Sequence, residues 1–422
     1  MAWILFGAFI LLLIVGVPIA FSVAGAAGVA MFVGVGPQQG MKLISRMFES
    51  TNSFSLIAVP FFILAGDLLA KGKLSKMLVE FCESFLGWVR GGLSIVSVLA
   101  GMFFAAISGS GAATTAAVGA TLVPELKKRG YEVDSAAALV AAAGTIGVVI
   151  PPSVPMVLYA VISGQVSVTN LFAHGFVPGI IMGLILIVIA LVQAYRRHYP
   201  KGVAFNIKNV ARTFLKAIPA LLMPVIILVG IFSGIFTPSE AACVAVVYAI
   251  IVSKLIYRDL TWKELFRIMA GSGRTSAVIM IIIACSGPFG WALANWRIPE
   301  AISAAVLGVS SNKYVIMGLI SVIILIAGVF METSSAIIIL TPVFLPLVRL
   351  LGVSDLHFGI LFVVGIAIGM ITPPVAINLF VASGITGLPI ERISKSVVPY
   401  LIGLVAVFLA IFFVPLLVPG LF

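Results

Sequence analysis

Charge, cysteine and histidine are all scarce in this sequence, and each shortage removes a class of function. Charged residues are 9% of the 422 positions against 62% hydrophobic, whereas a soluble domain carries about a quarter charged residues. Water is therefore not the main solvent of the chain. Three cysteines (Cys82, Cys243, Cys285) and three histidines (His174, His198, His357) are scattered. None shows paired metal-ligand spacing, which argues against a disulfide framework and a zinc site. The Gly72-Lys73 pair is followed by Leu74 and lacks the upstream glycine of a P-loop, so no Walker motif ties the chain to ATP.

Long apolar runs are what the sequence has instead. Stretches near the 20 residues needed to cross a bilayer recur from end to end, and mean hydropathy is +1.27. The first run, Met1 to Val33, lacks a basic n-region and a small-residue cleavage site, so it reads as a retained segment rather than a signal peptide. The net charge of +11 does not read as a nucleic-acid footprint, because the basic residues fall in the breaks between apolar runs without stacking aromatics. One group comprises Arg196, Arg197, Lys201, Lys208, Arg212 and Lys216, the other Lys254, Arg258, Lys263, Arg267 and Arg274. If Ile218 to Ile256 crosses twice, turning at Thr237-Pro238, the positive-inside rule puts both groups in the cytoplasm. The expected setting is a bacterial inner membrane crossed many times.

The chain repeats its punctuation. Pro124, Gly130, Gly147, Pro151 and Pro152 are matched by Pro346, Gly352, Gly369, Pro373 and Pro374, each at one interval (346 − 124 = 222). Five residues in order at one spacing point to two related halves. Weaker matches pair Gly16-Val17-Pro18 with Phe236-Thr237-Pro238 and Val59-Pro60-Phe61 with Gly287-Pro288-Phe289. The expected organisation is a first repeat over 1–195, a cytoplasmic connector over 196–216 and a second repeat over 217–422.

Each half contains an apolar run interrupted by polar or helix-breaking residues. In the first, Ser108, Gly109, Ser110, Gly111 and Thr114 predict the tip of a re-entrant hairpin near 103–125. Gly144, Thr145, Gly147, Pro151 and Pro152 predict a broken helix near 135–163. In the second, Glu332, Thr333, Ser334 and Ser335 predict a tip near 326–348, and Gly369, Thr372, Pro373, Pro374 and Asn378 a break near 358–384. Proline lacks an amide hydrogen and clashes with the preceding turn, so a Pro-Pro pair frees carbonyls upstream. In hydrocarbon an unsatisfied backbone group costs several kcal/mol, so such a break survives only where protein, water or an ion meets it. Sodium suits carbonyl and hydroxyl oxygens, while half-helix N-termini suit an organic anion. The competing reading of the small residues is close helix packing.

Charged residues inside apolar runs are functional candidates by default. Glu332 reads best as a cap for a helix starting at Thr333, Glu240 as a first-turn acid after Thr237-Pro238-Ser239, and Asp67, near Lys71 and Lys73, as interfacial. An intramembrane serine protease is the enzyme reading of Gly109-Ser110-Gly111 with His174. It is weak, because a nucleophile needs a base within reach and the matching tip has no histidine.

At Ile107-Ser108-Gly109-Ser110, Ile150-Pro151-Pro152-Ser153, Phe330-Met331-Glu332 and Thr372-Pro373-Pro374 with Asn378-Leu379-Phe380, the chain resembles the large membrane subunit of the tripartite ATP-independent periplasmic (TRAP) transporters. The resemblance runs the length of the sequence. It implies an all-α polytopic fold of two inverted repeats, an elevator-type movement of the hairpins and broken helices, and coupling to Na+ held mainly by carbonyls near these segments. It also implies two protein partners, a small four-helix membrane subunit on a separate chain and a periplasmic substrate-binding protein. The implied substrate is a small organic acid such as a C4-dicarboxylate or a sialic acid. A stand-alone Na+- or H+-coupled anion symporter of related fold is the alternative. Ile150 and Met156 stand where the second repeat has Thr372 and Asn378, so the two ion sites are expected to differ chemically.

Overall fold

The computed structural model describes residues 1–36, 40–70, 73–201, 204–301, 304 and 312–417. Helices account for its regular structure, and among the described residues the one β-type pairing is an isolated bridge between Arg90 and Lys201. The first half runs α1 (Ala2–Ile14), α2 (Ile19–Val35), α3 (Gly40–Thr51), α4 (Ala58–Ala70), α5 (Lys73–Leu86), α6 (Gly92–Ser108), α7 (Gly111–Lys128), α8 (Val133–Thr145), α9 (Val154–Ser163) and α10 (Val168–Arg196). The second runs α11 (Ile207–Phe232), α12 (Pro238–Ile251), α13 (Trp262–Asn295), α14 (Lys313–Phe330), α15 (Thr333–Leu350), α16 (Asp355–Gly369), α17 (Ile377–Thr386) and α18 (Ile390–Leu417). Seven of the described helices are long and apolar enough to cross a membrane, and α3 with α4 make a further pair bent by 65°.

Local chemistry sets the helix starts. Ser110, Ser153, Ser167, Asn206, Thr237, Thr261, Asn312, Glu332 and Ser354 each turn a side-chain oxygen onto an amide of the following first turn. Thr237 with Glu240 and Thr261 with Glu264 form reciprocal capping boxes, which is the first-turn role expected of Glu240. The turns at Gly16-Val17-Pro18 and Phe236-Thr237-Pro238 both separate two apolar helices, as their partial match suggests.

The interval of 222 extends from single residues to whole elements. It relates the starts of α7 and α15 (333 − 111), α8 and α16 (355 − 133), and α10 and α18 (390 − 168). The register breaks at one place. Positions 40–70, bent at 52–57 in the first half, correspond to 262–292, which lie within the continuous 34-residue α13.

The core surrounds α8 and α16. Every residue from Ser135 to Thr145 and from His357 to Gly369 is buried, so both helices are apolar all round, as a fully enclosed helix must be. Alanines and glycines let neighbours approach closely: a Cβ at Gly101 would lie 2.9 Å from that of Ala143. A second cluster joins α1 and α2 to the end of α13 through Leu5, Val23, Ala27, Phe289 and Leu293.

Three boundaries differ from the sequence reading. The connector expected over 196–216 is shorter, because α11 already begins at Ile207 and carries Lys208, Arg212 and Lys216 on its first turns. Asn206 caps that helix, a polar start that the basic composition obscured. The hairpins are longer than expected, spanning 92–128 and 313–350, because Gly92 and Asn312 start their first arms well before the polar tips. His174 lies inside α10, which starts after its Ser167 cap. Lys71, invoked beside Asp67, lies outside the described residues.

The paired crossings of α11 and α12 make an orientation test direct. In a background without Cys82, Cys243 and Cys285, Ser233→Cys should react with an impermeant maleimide added outside spheroplasts, while Lys208→Cys and Lys263→Cys should stay protected until the membrane is opened. Labelling of Lys208→Cys from outside would reverse the orientation.

Candidate functional site

Both hairpins end in a two-residue turn, and the turns are chemically unlike. In the first, α6 closes on Gly109 with φ +60° and Ser110 starts α7, its Oγ accepting from Ala113 N at 3.4 Å. In the second, Met331 is extended and Glu332 starts α15. The Glu332 Oε2 accepts from Ser334 N at 2.8 Å and Ser335 N at 3.1 Å, and its Oε1 accepts from Ser334 Oγ at 3.0 Å. The capping role expected of Glu332 is therefore what the structure shows. Ser110 and Glu332 are themselves one interval apart (332 − 110 = 222), so equivalent positions cap with a hydroxyl in one half and a carboxylate in the other.

The two tips meet. Ser108, Gly109, Ser110 and Gly111 from the first and Glu332, Thr333 and Ser334 from the second line one cavity of about 220 Å³. Val148, Val154, Pro155, Met370 and Ile377, which flank the two breaks, close it from behind. The first amides of α7 and α15 border this space, and the positive end of a helix dipole favours negative charge. Ser108 Oγ and Thr114 Oγ1 are 2.9 Å apart just under the first tip.

The helical run is interrupted at both Pro-Pro pairs, and the residues named there do not line the cavity. After Thr145, whose Oγ1 donates to Ala142 O at 2.7 Å, a 3-10 turn over Ile146–Val148 leads into Pro151-Pro152. Ser153 then starts α9, its Oγ donating to Val148 O at 2.5 Å. Gly147 packs against Ser110 O and Thr114 Oγ1, where an added Cβ would sit at 2.7 and 2.6 Å. In the second half Thr372 Oγ1 donates to Ile368 O at 2.8 Å ahead of Pro373-Pro374, and Gly369 abuts the backbone of Gly328.

Asn378 breaks the division between halves. Sequence position sets it beside the second tip, yet it is fully buried against the first half, with Nδ2 donating to Ala141 O at 3.1 Å. An added Cβ at Gly144 would lie 1.8 Å from Thr115 Oγ1, 3.0 Å from Gly111 O and 3.1 Å from Asn378 Nδ2. Only glycine fits there. The Oδ1 of Asn378 is buried without a hydrogen-bond partner, a state that costs about 1 to 3 kcal/mol unless something meets it. Gly144, whose added Cβ would meet Thr115 Oγ1, Gly111 O and Asn378 Nδ2, brings neutral oxygens into the same region, and among the described residues no cluster of three or more His, Cys, Asp or Glu side chains is formed. That donor chemistry fits an alkali cation and not a transition metal.

Two cavity residues escaped the sequence reading. Asp67, taken as interfacial, faces the cavity from α4, with Oδ2 accepting from Ser272 Oγ at 2.6 Å, and Thr275 faces it one turn further along α13. Gly66 makes this approach possible, because a Cβ there would lie 2.8 Å from Ser108 Cα. The Ala-Gly-Asp run at 65–67 was the available signal, a small pair beside an intramembrane acid. Ser110 and His174 do not form a nucleophile and base: Ser110 caps α7, and His174 Nδ1 lies 2.8 Å from Asn170 O on α10.

An all-helical chain with paired hairpin tips and broken helices around one cavity has the build of a membrane transporter. In overall fold it is similar to the YdaH transporter of Alcanivorax borkumensis, with a TM-score of 0.70 at 14% identity over 94% of this chain and 96% of that one. MtrF of Neisseria gonorrhoeae gives 0.65 at 14% identity over 100% and 97%. Residues 6–417 match the family described as "Tripartite ATP-independent periplasmic transporter, DctM component", and the chain belongs to that family. It is 41% identical to the isethionate TRAP transporter permease protein DctMQ of Oleidesulfovibrio alaskensis over 98% of its own length, spanning 65% of that relative. It is 38% identical to the C4-dicarboxylate TRAP transporter large permease protein DctM of Pseudomonas aeruginosa, over 93% of this chain and 91% of that one. With the 2,3-diketo-L-gulonate large permease YiaN of Escherichia coli the identity is 35%, over 95% and 94%. These relatives are named as permeases, not enzymes, and the chain is a multi-pass inner-membrane protein.

Two substitutions probe the geometry. Gly144→Ala should destabilise the purified protein in detergent by about 1 to 3 kcal/mol through overpacking, and Thr115→Ala in the same chain should recover much of that loss, read as melting temperature. Glu332→Ala should cost about 0.5 to 2 kcal/mol through the lost cap, whereas Glu332→Ser, which copies Ser110, should stay near wild type.

Proposed function

We propose that this chain is the translocating subunit of a sodium-coupled importer of a small organic acid. One observation carries the reading: two hairpin tips, 222 residues apart in sequence, supply the hydroxyls and helix N-termini of a single cavity. The amides at Gly111 and Thr333 and the hydroxyls of Ser108, Ser110 and Ser334 would take the acid. Asn378 Oδ1, Thr115 Oγ1 and Gly111 O would hold the cation. Its charge offsets that of the substrate, so binding of the two is mutually favourable.

The halves are read as inverted repeats in which hairpins and broken helices move together against α4 and α13, as an elevator. Meeting of both tips at one cavity supports that reading, because each hairpin then enters and leaves on one side. The names of the relatives support an organic acid or sulfonate, with C4-dicarboxylates the leading class; sialic acids, a further class, rest on the resemblance alone. Family membership supports a small four-helix membrane subunit and a periplasmic substrate-binding protein as partners. The alternative, a symporter working alone, needs neither.

Proteoliposomes holding this chain and its small subunit should accumulate a radiolabelled acid from a panel of C4-dicarboxylates, sialic acid and isethionate only with the cognate binding protein and an inward sodium gradient. Accumulation without either protein partner would establish the stand-alone symporter. Uptake indifferent to sodium would overturn the coupling. Asn378→Leu should raise the sodium concentration for half-maximal uptake at least tenfold.

A further inference from the structure

Beside the hairpin tips the cavity is lined by α4 and α13, through Ile63, Gly66, Asp67, Thr275 and Ile279. Among the described residues no arginine or lysine lines the space, and the acidic residues that do are Asp67 and Glu332. They are not equivalent. The Glu332 oxygens are committed to two backbone amides and the Ser334 hydroxyl of its own helix start. Asp67 accepts from Ser272 Oγ on Oδ2, while an ionised carboxylate offers about four acceptor sites and no donor.

An acceptor-only group in the wall of an anion site repels a bare carboxylate and attracts a donor. We infer that Asp67 is a specificity-determining residue, selecting acids that carry a hydroxyl or ammonium group in addition to the anionic one. The anionic end lies at the hairpin tips, where amides and hydroxyls are concentrated, and the donor end reaches Asp67. A hydrogen bond to a charged acceptor is about twice as strong as a neutral one. A site built around such a bond rejects analogues lacking the donor, because its own polar group is then left unpaired. This inference rests on the cavity being the organic-acid site.

The test measures binding rather than uptake, so that the binding protein plays no part. The chain with its small subunit, in detergent and sodium, is titrated by thermal shift with matched pairs: malate and succinate, isethionate and ethanesulfonate, lactate and propionate. Wild type should bind the hydroxylated member of a pair at least tenfold more tightly. Asp67→Leu should narrow that ratio to within about threefold while leaving the deoxy member bound as well or better, and Asp67→Glu should keep the preference. Should Asp67→Leu fold poorly, Asp67→Asn, which loses the charge and exchanges one acceptor oxygen for an NH2 donor, should lower the ratio about threefold. Equal weakening of both members, or the same narrowing from Ser272→Ala, would reduce Asp67 to a structural tie between α4 and α13 and sink the proposal. A wild type that binds no member of any pair overturns the cavity assignment itself, which is distinct from a wild type that binds acids without regard to their hydroxyls.

Discussion

Everything in this molecule turns on the rule that a peptide group in lipid must find a partner. A continuous helix obeys it automatically. A helix broken at Pro151-Pro152 or Pro373-Pro374 does not, and the chain meets the shortfall locally. Ser153 Oγ returns to Val148 O, Thr372 Oγ1 to Ile368 O, and Asn378 N to Met370 O at 3.0 Å. What is left after these repairs includes a buried amide oxygen on Asn378 and the first residues of α7 and α15, Gly111 and Thr333, which are buried and line the cavity. The polar character of the centre is thus a residue of helix breaking, held in place by two fully enclosed helices.

The duplication supplies two copies of this device, and the copies have diverged where chemistry matters. Ser110 and Glu332 fill the same capping position with different charge, and Asn378 replaces the buried Met156. The Glu332 carboxylate lines the cavity with its oxygens engaged by its own helix start, whereas the Asn378 amide, buried across the boundary between halves, ties the second break to α8 of the first.

Much of this was legible in the residues. The Pro and Gly spacing anticipated element boundaries that coincide at 222 residues, because proline and positive-φ glycine act through their own backbone and carry their effect wherever they stand. The cap at Glu332 was readable for the same reason. Asp67 and Asn378 were not, since their surroundings are contributed by Ser272 and by Ala141, each about 200 residues away. Nor was the 65° bend between α3 and α4 foreseen, although the chain changes there from an amphipathic stretch with Lys42, Arg46 and Glu49 to an apolar one; Ser50 packs against the Ile283 and Ala284 carbonyls beside the turn.

That bend has no counterpart in the other half, where a straight α13 of 34 residues runs about 51 Å at 1.5 Å per residue, well beyond a hydrocarbon layer of about 30 Å. Two halves braced by dissimilar struts do not exchange roles without a change in free energy. For the elevator proposed above, the inward-facing and outward-facing forms are then of unequal depth, and the resting population is set by the frame before any cargo arrives.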